Sequence, residues 1–405
     1  MRYFGRMEIS MKRILFKNAS IITTTGIKQG ELLTAGSKIH RVVYNGVIEE
    51  PYDEIINVEG KYLSPGFIDI HTHGGGGYDF MDGSLDAIYN ASKSHMLYGT
   101  TSIVPTTITG THKSLLDFTD LFNQADLSRK GCPNILGLHL EGPYFSYNQR
   151  GAQDPRYLRN PNKKEYLEVL AKTDRIIRWS FAVELEGSKD FLGVLRENNI
   201  VSSLAHSDAT CEEVYESFEN GLRALTHFYS AMSTVTRKNS YRVAGAVEAG
   251  YLLDDLYVEV IADGKHLPKE LLQLIYKVKG PDKICLVTDS MRAAGMPDGN
   301  YVLGNKDTGL DVIVEDEVAK LPDRSSFAGS VATADRLVRT FCRLTEAPLY
   351  QVVKMMTFNP ARLLKIDSSK GSIGEGKDAD LIIFDENIQV DFVMVKGRIN
   401  INQIK

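Results

Sequence analysis

The chain has nine histidines in 405 residues, and several follow short apolar segments in positions that suit metal binding. His71 and His73 close the segment FIDIHTH, and the alternation of side chains along a strand places both imidazoles on the same side. Two neighbouring imidazole nitrogens are typical ligands of a divalent metal ion. A single His-x-His pair is weak support for such a site, so its meaning depends on which residues other segments bring to the same place.

Three further candidate ligands end other apolar segments. Glu141 ends LHLEGP, His206 ends SLAHS and His227 ends ALTHF. Each histidine taken alone is more often a hydrogen-bonded core residue. A carboxylate and two imidazoles that converge from different strands, however, match a catalytic metal site with open positions. We therefore predict a site for a divalent metal ion, and the ligand types favour zinc or iron.

Asp289 follows the apolar residues of CLVTDS and is the candidate general base. A carboxylate near a metal site can take the proton of an attacking water and return it to the leaving group. An aspartate followed by a serine also suits the N-cap of a helix. Beside the predicted metal centre, we favour the role of base.

Eight apolar segments alternate with amphipathic stretches and predict the elements that position these residues. The segments are FIDIHTH, TSIVPTTI, ILGLHLEG, IIRWSFAVEL, IVSSLAHS, RALTHF, LYVEVIAD and ICLVTDS. Their alternation with helical stretches such as KEYLEVLAK predicts an α/β fold with a (β/α)8 TIM-like barrel. The carboxyl ends of the strands form the active-site face of such a barrel, and the candidate ligands stand at those ends.

Both ends of the chain have a different pattern of short strands bounded by Gly, Asn or Asp. It includes ILFKNASIIT, GELLTAG, IHRVVYNG and EIINVEGKYL near the start and DADLIIFDENIQVDFVMVKGRI near the end. We predict that residues 1–62 and 376–405 form one small discontinuous β-sandwich domain. Residues 63–375 then form the metal-dependent barrel.

The composition indicates an ordinary globular protein and excludes several classes of partner. Hydrophobic residues make up 43% and charged residues 24% of the chain. The net charge of −5 gives no general attraction to nucleic acid or anionic lipid, so we expect neither nucleic acid nor membrane as a partner. The four cysteines form no Cys-x-x-Cys pair, and the N-terminus lacks the apolar stretch of a signal peptide. We expect reduced thiols and a cytoplasmic location.

Longer motifs resemble a known family over nearly the whole chain. They are PGFIDIHTHGGGGYDF, LHLEGPY, LAHSDA, THFYSAM, IADGKH, LVTDSMRAAG, FAGS, NPARLL and GSIGEGKDADLII. Together they resemble the N-acetylglucosamine-6-phosphate deacetylases of the amidohydrolase superfamily. The resemblance implies hydrolysis of N-acetyl-D-glucosamine 6-phosphate to D-glucosamine 6-phosphate and acetate in amino-sugar catabolism. It also implies a homodimer.

The resemblance implies roles for individual residues. The principal ion would be held by Glu141, His206 and His227, and the second ion of some members by His71 and His73, with Asp289 as catalytic acid and base. Contacts with the amino sugar phosphate are implied for Ala152, Gln153, Ser230, Ala231, Asp263, His266, Phe327, Ala328 and Gly329. The family also uses an arginine of the neighbouring subunit for the phosphate, and Arg237 or Arg242 is the candidate.

Two departures from the family pattern keep other functions open. Gln153 stands where some members have His, and Ser230 stands where Asn is usual. Because the serine hydroxyl reaches less far, the alternative is a deacetylase of another amino sugar phosphate, such as N-acetylgalactosamine 6-phosphate. A non-catalytic barrel that serves as a scaffold is a more remote alternative, since it predicts eroded ligands and all the ligand positions are present.

Overall fold

The computed structural model describes residues 11–404, so the N-terminal residues that bear on a signal peptide lie largely outside the described part. The first strands are β1 (Arg13–Thr23), β2 (Gly26–Ala35), β3 (Lys38–Tyr44), β4 (Glu54–Asn57) and β5 (Tyr62–Pro65). β1 pairs antiparallel with β2, and β2 pairs antiparallel with β3. β4 and β5 both pair parallel with β1. The short strands predicted for the start of the chain are therefore present.

The middle of the chain alternates between strands and helices. Its strands are β6 (Phe67–Thr72), β7 (Gly74–Gly75), β8 (Tyr78–Asp79), β9 (Thr100–Pro105), β10 (Asn134–Ile135), β11 (Leu138–Glu141), β12 (Ile176–Phe181), β13 (Val201–Leu204), β14 (Ala224–Leu225), β15 (Thr236–Lys238), β16 (Tyr241–Val243), β17 (Tyr257–Val260), β18 (Ile284–Leu286), β19 (Gly299–Leu303), β20 (Leu310–Glu315) and β21 (Val318–Lys320). Its helices are α1 (Leu85–Met96), α2 (His112–Phe122), α3 (Lys163–Lys172), α4 (Ser188–Glu197), α5 (Cys211–Glu219), α6 (Ala246–Leu252), α7 (Lys269–Lys279), α8 (Ala334–Thr345), α9 (Leu349–Met356) and α10 (Phe358–Leu363).

Each of the eight apolar segments forms a parallel strand, and together these strands confirm an α/β fold of the TIM-barrel type. The third segment is divided into β10 and β11, and the pairing runs in two ladders, β10-β9-β6 and β11-β12-β13-β14-β17-β18. A single bridge between Thr106 and His139 connects the ladders on one side. On the other side, the backbone N–H of Asp289 donates to the carbonyl of His71 over 2.9 Å. One closed ring of pairing is not observed, because β10 and β11 belong to different ladders and β6 and β18 share no ladder in the described part of the chain.

The last strands of the chain join the first strands. β22 (Leu381–Phe384), β23 (Val390–Val395) and β24 (Arg398–Asn402) extend the sheet in the order β24-β23-β22-β5-β1-β2-β3, with β4 paired to β1. Buried side chains such as Phe16, Leu63, Leu381 and Phe392 form the core of this sheet. The predicted sandwich is not confirmed, because the pairing runs through one mixed sheet. The domain limits at residues 62 and 376 stay predictions.

Polar side chains cap the N-termini of several of the helices that follow the barrel strands. The hydroxyls of Ser84 and Thr111 and the amide oxygen of Asn162 accept backbone N–H groups in the first turns of α1, α2 and α3. Thr210 and Glu213 form a reciprocal capping box at α5. Within residues 11–404, no helix combines the length and the apolar character that crossing a membrane requires.

Candidate active site

Four imidazoles surround the carboxylate of Glu141 at the carboxyl ends of the barrel strands. The Nε2 atoms of His227, His71 and His206 lie 3.2, 3.4 and 3.7 Å from Glu141 Oε1. The Nε2 atom of His73 lies 3.4 Å from Glu141 Oε2. All five side chains are buried, so the fold brings together every metal ligand predicted from the sequence.

Asp289 completes this cluster from the end of β18. Its Oδ1 lies 3.3 Å from His71 Nε2 and 3.2 Å from His73 Nε2. Burial would raise the pKa of Asp289, but the charges of His71 and His73 and the hydrogen bond with His73 hold it below its ordinary value. The carboxylate is therefore ionised at neutral pH, as a general base requires.

Three of these residues have backbone conformations that are rare for residues with a side chain. The φ angles of His206, His227 and Asp289 are 47°, 33° and 46°. Such left-handed values cost free energy and cluster at functional sites in proteins. His206 and His227 lie two residues after the ends of β13 and β14, and Asp289 lies three residues after the end of β18, so the turn that follows each strand carries the side chain to the site.

The ring nitrogens of three histidines in this cluster are unpaired or oriented in a way that suits binding of a divalent cation. His71 Nε2 is buried and has no hydrogen-bond partner in the described part of the chain. Nδ1 of His206 donates to the carbonyl of Gln149 over 2.8 Å, and Nδ1 of His227 donates to the carbonyl of Ser230 over 3.1 Å. These bonds leave the Nε2 lone pairs free to bind metal.

Two sets of ligand atoms lie close enough to bind an ion. One consists of Glu141, His206 and His227, and the other of His71, His73 and Glu141. Burial would raise the pKa of Glu141, but the charge of His71 and hydrogen bonds with His206, His227 and His71 hold it well below its ordinary value. This carboxylate, shared by both sets, carries the negative charge that a cation site needs.

A cleft of about 470 Å³ opens above this cluster. The substrate-contact residues predicted from the sequence that line it are Ala152, Gln153, Ser230, Ala231, His266, Phe327 and Gly329. Residues that the sequence analysis missed also line it, namely Ile108, Asn148, Gln149, Arg150, Gly151, Leu303, Ser325 and Ser326. Most of the missed residues lie in loops without a chemical motif, so no signal in the sequence marked them.

Two of the predicted substrate residues lie behind the wall of the cleft. Asp263 accepts hydrogen bonds from the backbone N–H groups of Lys265 and His266 at 2.9 Å and from Nδ1 of His266 at 2.8 Å. Burial raises the pKa of Asp263, but these bonds and the charge of His266 bring it below its ordinary value. Ala328 is fully buried. Asp263 therefore orients His266. Beside the buried Ala328, its neighbours Phe327 and Gly329 line the cleft.

Both polar atoms of the Gln153 side-chain amide are hydrogen-bonded to the protein. Its Nε2 donates to Glu141 Oε2 over 2.8 Å, and its Oε1 accepts from the backbone N–H of Thr109 over 3.1 Å. Ser230 lines the cleft and its carbonyl accepts from His227. In the described conformation, Gln153 thus supports the metal ligand Glu141 and retains one amide hydrogen for a substrate.

The two arginines predicted to bind the phosphate do not line the cleft of their own chain. Arg237 and Arg242 face each other in the exposed hairpin of β15 and β16. The cation that lines the cleft is Arg150, whose guanidinium stacks over the ring of Tyr147 at 4.3 Å. A role for Arg237 or Arg242 at the site of a neighbouring subunit stays a prediction.

A buried ion pair that was not predicted from the sequence lies beneath the predicted metal ligands. Arg178 in β12 forms a salt bridge with Glu259 in β17, and both side chains are fully buried. The signal was available, since each is a charged residue inside an otherwise apolar strand segment. Charged residues are almost never fully buried unless they are paired.

Comparisons with known proteins agree with this geometry. The amidohydrolase family matches residues 62–400. A relative from Lysinibacillus sphaericus, an N-acetylglucosamine-6-phosphate deacetylase, is 32% identical over 96% of this chain and 98% of its own. An N-acetylgalactosamine-6-phosphate deacetylase from Escherichia coli O157:H7 is 31% identical over 84% of this chain and 88% of its own. The crystal structure of N-acetylglucosamine-6-phosphate deacetylase from Pasteurella multocida superposes with a TM-score of 0.89 at 29% identity, over 96% of this chain and 100% of that one.

Proposed function

We propose, since the chain belongs to the amidohydrolase family, that it is a metal-dependent deacetylase of an amino sugar phosphate. Its reaction is the hydrolysis of N-acetyl-D-glucosamine 6-phosphate to D-glucosamine 6-phosphate and acetate. The observation that carries this proposal is the convergence of Glu141, four imidazoles and Asp289 at the base of an open cleft. A scaffold without activity would have no use for that arrangement of buried polar groups.

The residues of the cleft have separate roles in the proposed reaction. Glu141, His206 and His227 would hold a divalent ion, whose Lewis acidity would lower the pKa of water and polarise a carbonyl oxygen. Asp289 accepts the proton of the attacking water on its carboxylate and returns it to the departing amine. His266, whose Nδ1 is bonded to Asp263, presents its Nε2 to the substrate in the cleft.

The identity of the sugar is the finer part of the proposal. The relative from Escherichia coli O157:H7 acts on the galactosamine epimer, and Ser230 keeps that alternative open. We place the glucosamine epimer first, because the relatives from Lysinibacillus sphaericus and Bacillus subtilis carry that name and match 96% and 95% of this chain. Zinc or iron is the proposed metal, because imidazole and carboxylate ligands suit both.

A homodimer is the proposed assembly. The hairpin of β15 and β16 carries Arg237 and Arg242 next to exposed apolar side chains, Val235 at 51% and Tyr241 at 78% exposure. An exposed apolar and cationic hairpin is suited to contact a second chain and to reach its phosphate site. The cytoplasmic location stays a prediction.

The test of the function is acetate release by the purified protein, with metal content measured on the same sample. We expect release from N-acetylglucosamine 6-phosphate that requires metal, and much slower release from the unphosphorylated sugar. A parallel assay with N-acetylgalactosamine 6-phosphate decides between the epimers. A metal-loaded protein that is inactive on both sugar phosphates would contradict the proposed substrate class.

A further inference from the structure

The His71 imidazole contacts a carboxylate on each side of its ring. Its Nδ1 lies 3.2 Å from Glu259 Oε2, below the site. Its Nε2 lies between Glu141 Oε1 at 3.4 Å and Asp289 Oδ1 at 3.3 Å, and makes no hydrogen bond of its own in the described part of the chain. A carboxylate can only accept, so the contact with Glu259 places a hydrogen on Nδ1. In the neutral imidazole, the Nε2 lone pair is then free to bind a metal ion.

Glu259 is held in place by Arg178. The guanidinium forms a salt bridge with Glu259 Oε1, and both side chains are fully buried inside the ring of strands. Because arginine stays charged when it is buried, it supplies a permanent counter-charge for Glu259. A lone carboxylate at this depth would be strongly unfavourable.

Arg178 is in turn fixed by hydrogen bonds to three other segments of the barrel. Its Nη1 donates to the carbonyl of Ile70 over 3.2 Å, and its Nη2 donates to Ser203 Oγ over 3.1 Å and Thr226 Oγ1 over 3.0 Å. The pair therefore connects β12 to β6, β13 and β17, and to the residue that follows β14, directly beneath the predicted metal ligands. Side chains anchored in this way have little freedom to change rotamer, which is what a precise ligand position requires.

We propose that Glu259 and Arg178 are positioning residues that fix the tautomer and ring orientation of His71. They thereby set the affinity of His71 and His73 for a second divalent ion. Neither residue lines the cleft, so neither contacts the substrate directly. This proposal rests on the metal dependence proposed above and not on the choice of sugar.

The test uses Glu259→Gln, which keeps the size of the side chain. A glutamine amide can donate to Nδ1 of His71, which moves the ring hydrogen to Nε2 and blocks the lone pair. It also removes the counter-charge of Arg178. We expect the second ion to bind roughly 10- to 100-fold more weakly, while the ion at Glu141, His206 and His227 is retained. Glu259→Asp keeps the carboxylate on a shorter side chain, so we expect an intermediate affinity.

The measurement is the number of ions per chain at a series of buffered metal concentrations, with affinities from competition with a chromophoric chelator. Glu270→Gln is the matched control, since it makes the same substitution at an exposed glutamate of α7. Near-ultraviolet circular dichroism of the single tryptophan, Trp179, reports whether the variants fold.

Selective loss of the second ion in Glu259→Gln, with the control unchanged, supports the proposal. Unchanged affinity for the second ion overturns it, as does an equal weakening of both ions. A wild-type protein that binds only one ion at saturating metal also overturns it. None of these outcomes depends on acetate release, so failure of the proposed substrate is a separate result.

Discussion

Asp289 is the residue at which the proposed chemistry can be separated from metal binding. It belongs to neither of the two sets of ligands that share Glu141, although its Oδ1 lies within 3.3 Å of His71 and His73. Its side chain is oriented by the turn that follows β18. A change at this carboxylate should therefore alter proton transfer more than the principal ion.

Asp289→Asn should lower kcat by roughly 10²- to 10⁴-fold, because an amide cannot accept the proton of the attacking water. The principal ion should remain, since Glu141, His206 and His227 are unchanged. Acetate release and elemental analysis on the same sample check both statements. Asp298→Asn, an exposed aspartate of the following loop, is the control and should have wild-type activity. Activity retained in Asp289→Asn would assign the base to another residue.

The exposed hairpin of β15 and β16 is the element on which the proposed dimer depends. Its two arginines face each other across the hairpin and lie outside the cleft of their own chain. In a two-fold dimer, each site would combine Asp289 of one chain with the hairpin of the other. Chains defective in one of these parts should therefore complement each other.

Mixing Asp289→Asn with the double variant Arg237→Met and Arg242→Met should restore activity that neither has alone. Half of the randomly formed dimers are mixed and each has one intact site, so recovery should reach roughly a quarter of the wild-type activity. The measurement is acetate release after the chains are unfolded and refolded together. Refolding each variant alone is the control. No recovery from a dimeric mixture would favour Arg150, which lines the same chain's cleft, as the phosphate ligand.

A second group of elements is joined by a buried ion cluster. Lys370 Nζ lies 2.8 Å from Asp378 and 2.5 Å from Asp380, and all three side chains are largely buried. Asp380 also accepts from Asn134 of β10 at 3.3 Å, which links the terminal sheet to a barrel strand. The charge of Asp380 and hydrogen bonds to both carboxylates outweigh burial and raise the pKa of Lys370.

Lys370→Met should lower the free energy of unfolding by about 3–5 kcal/mol, because buried Asp380 loses its counter-charge and Asp378 keeps only its pair with the half-exposed Lys38. Urea unfolding of the metal-loaded protein checks this, read as a fall in the transition midpoint. Lys113→Met is the control, since its partner Asp117 is 62% exposed and the pair is solvated. Equal midpoints for the two variants would contradict the role of the cluster.

At the scale of the whole molecule, metal binding and folding are linked. The ligands come from strands spread around the barrel, so removal of the metal leaves several charged groups close together in the core. Burial would lower the pKa of His71, but Asp289 and Glu141 raise it from 6.5 to about 9. A pKa raised in the folded state gives stability that is present below pH 6.5 and is lost as the pH rises toward about 9.

Chelation should therefore lower the thermal midpoint, and the midpoint of the metal-free protein should fall further between about pH 6.5 and pH 9. The metal-loaded protein should lack this fall, because an imidazole that binds metal is already neutral. Scanning calorimetry of both forms across this range is the measurement. A metal-free protein with a constant midpoint would contradict the linkage.

The sequence by itself determined the parts of this protein that depend on local pattern. Apolar segments of strand length alternate with amphipathic ones, so the eight strands and the residues at their ends were predictable. The carboxyl ends of all these strands lie on the same face of the barrel, so the sequence pattern predicted that five side chains meet there, namely His71, His73, Glu141, His206 and His227. A closed ring of strand pairing and a β-sandwich are the parts of the predicted fold that are not confirmed.

Only the tertiary structure decided which residues share a surface. It placed Arg150 in the cleft, moved Asp263 and Ala328 behind the wall and put Arg237 and Arg242 on an exposed hairpin. It also paired Arg178 with Glu259 across 81 positions of sequence, the difference between the two residue numbers. Periodicity specifies the face of a strand or helix, which is a local property. Loop paths and buried charge pairs are set by contacts between residues far apart in the chain, and these form only when the whole core packs.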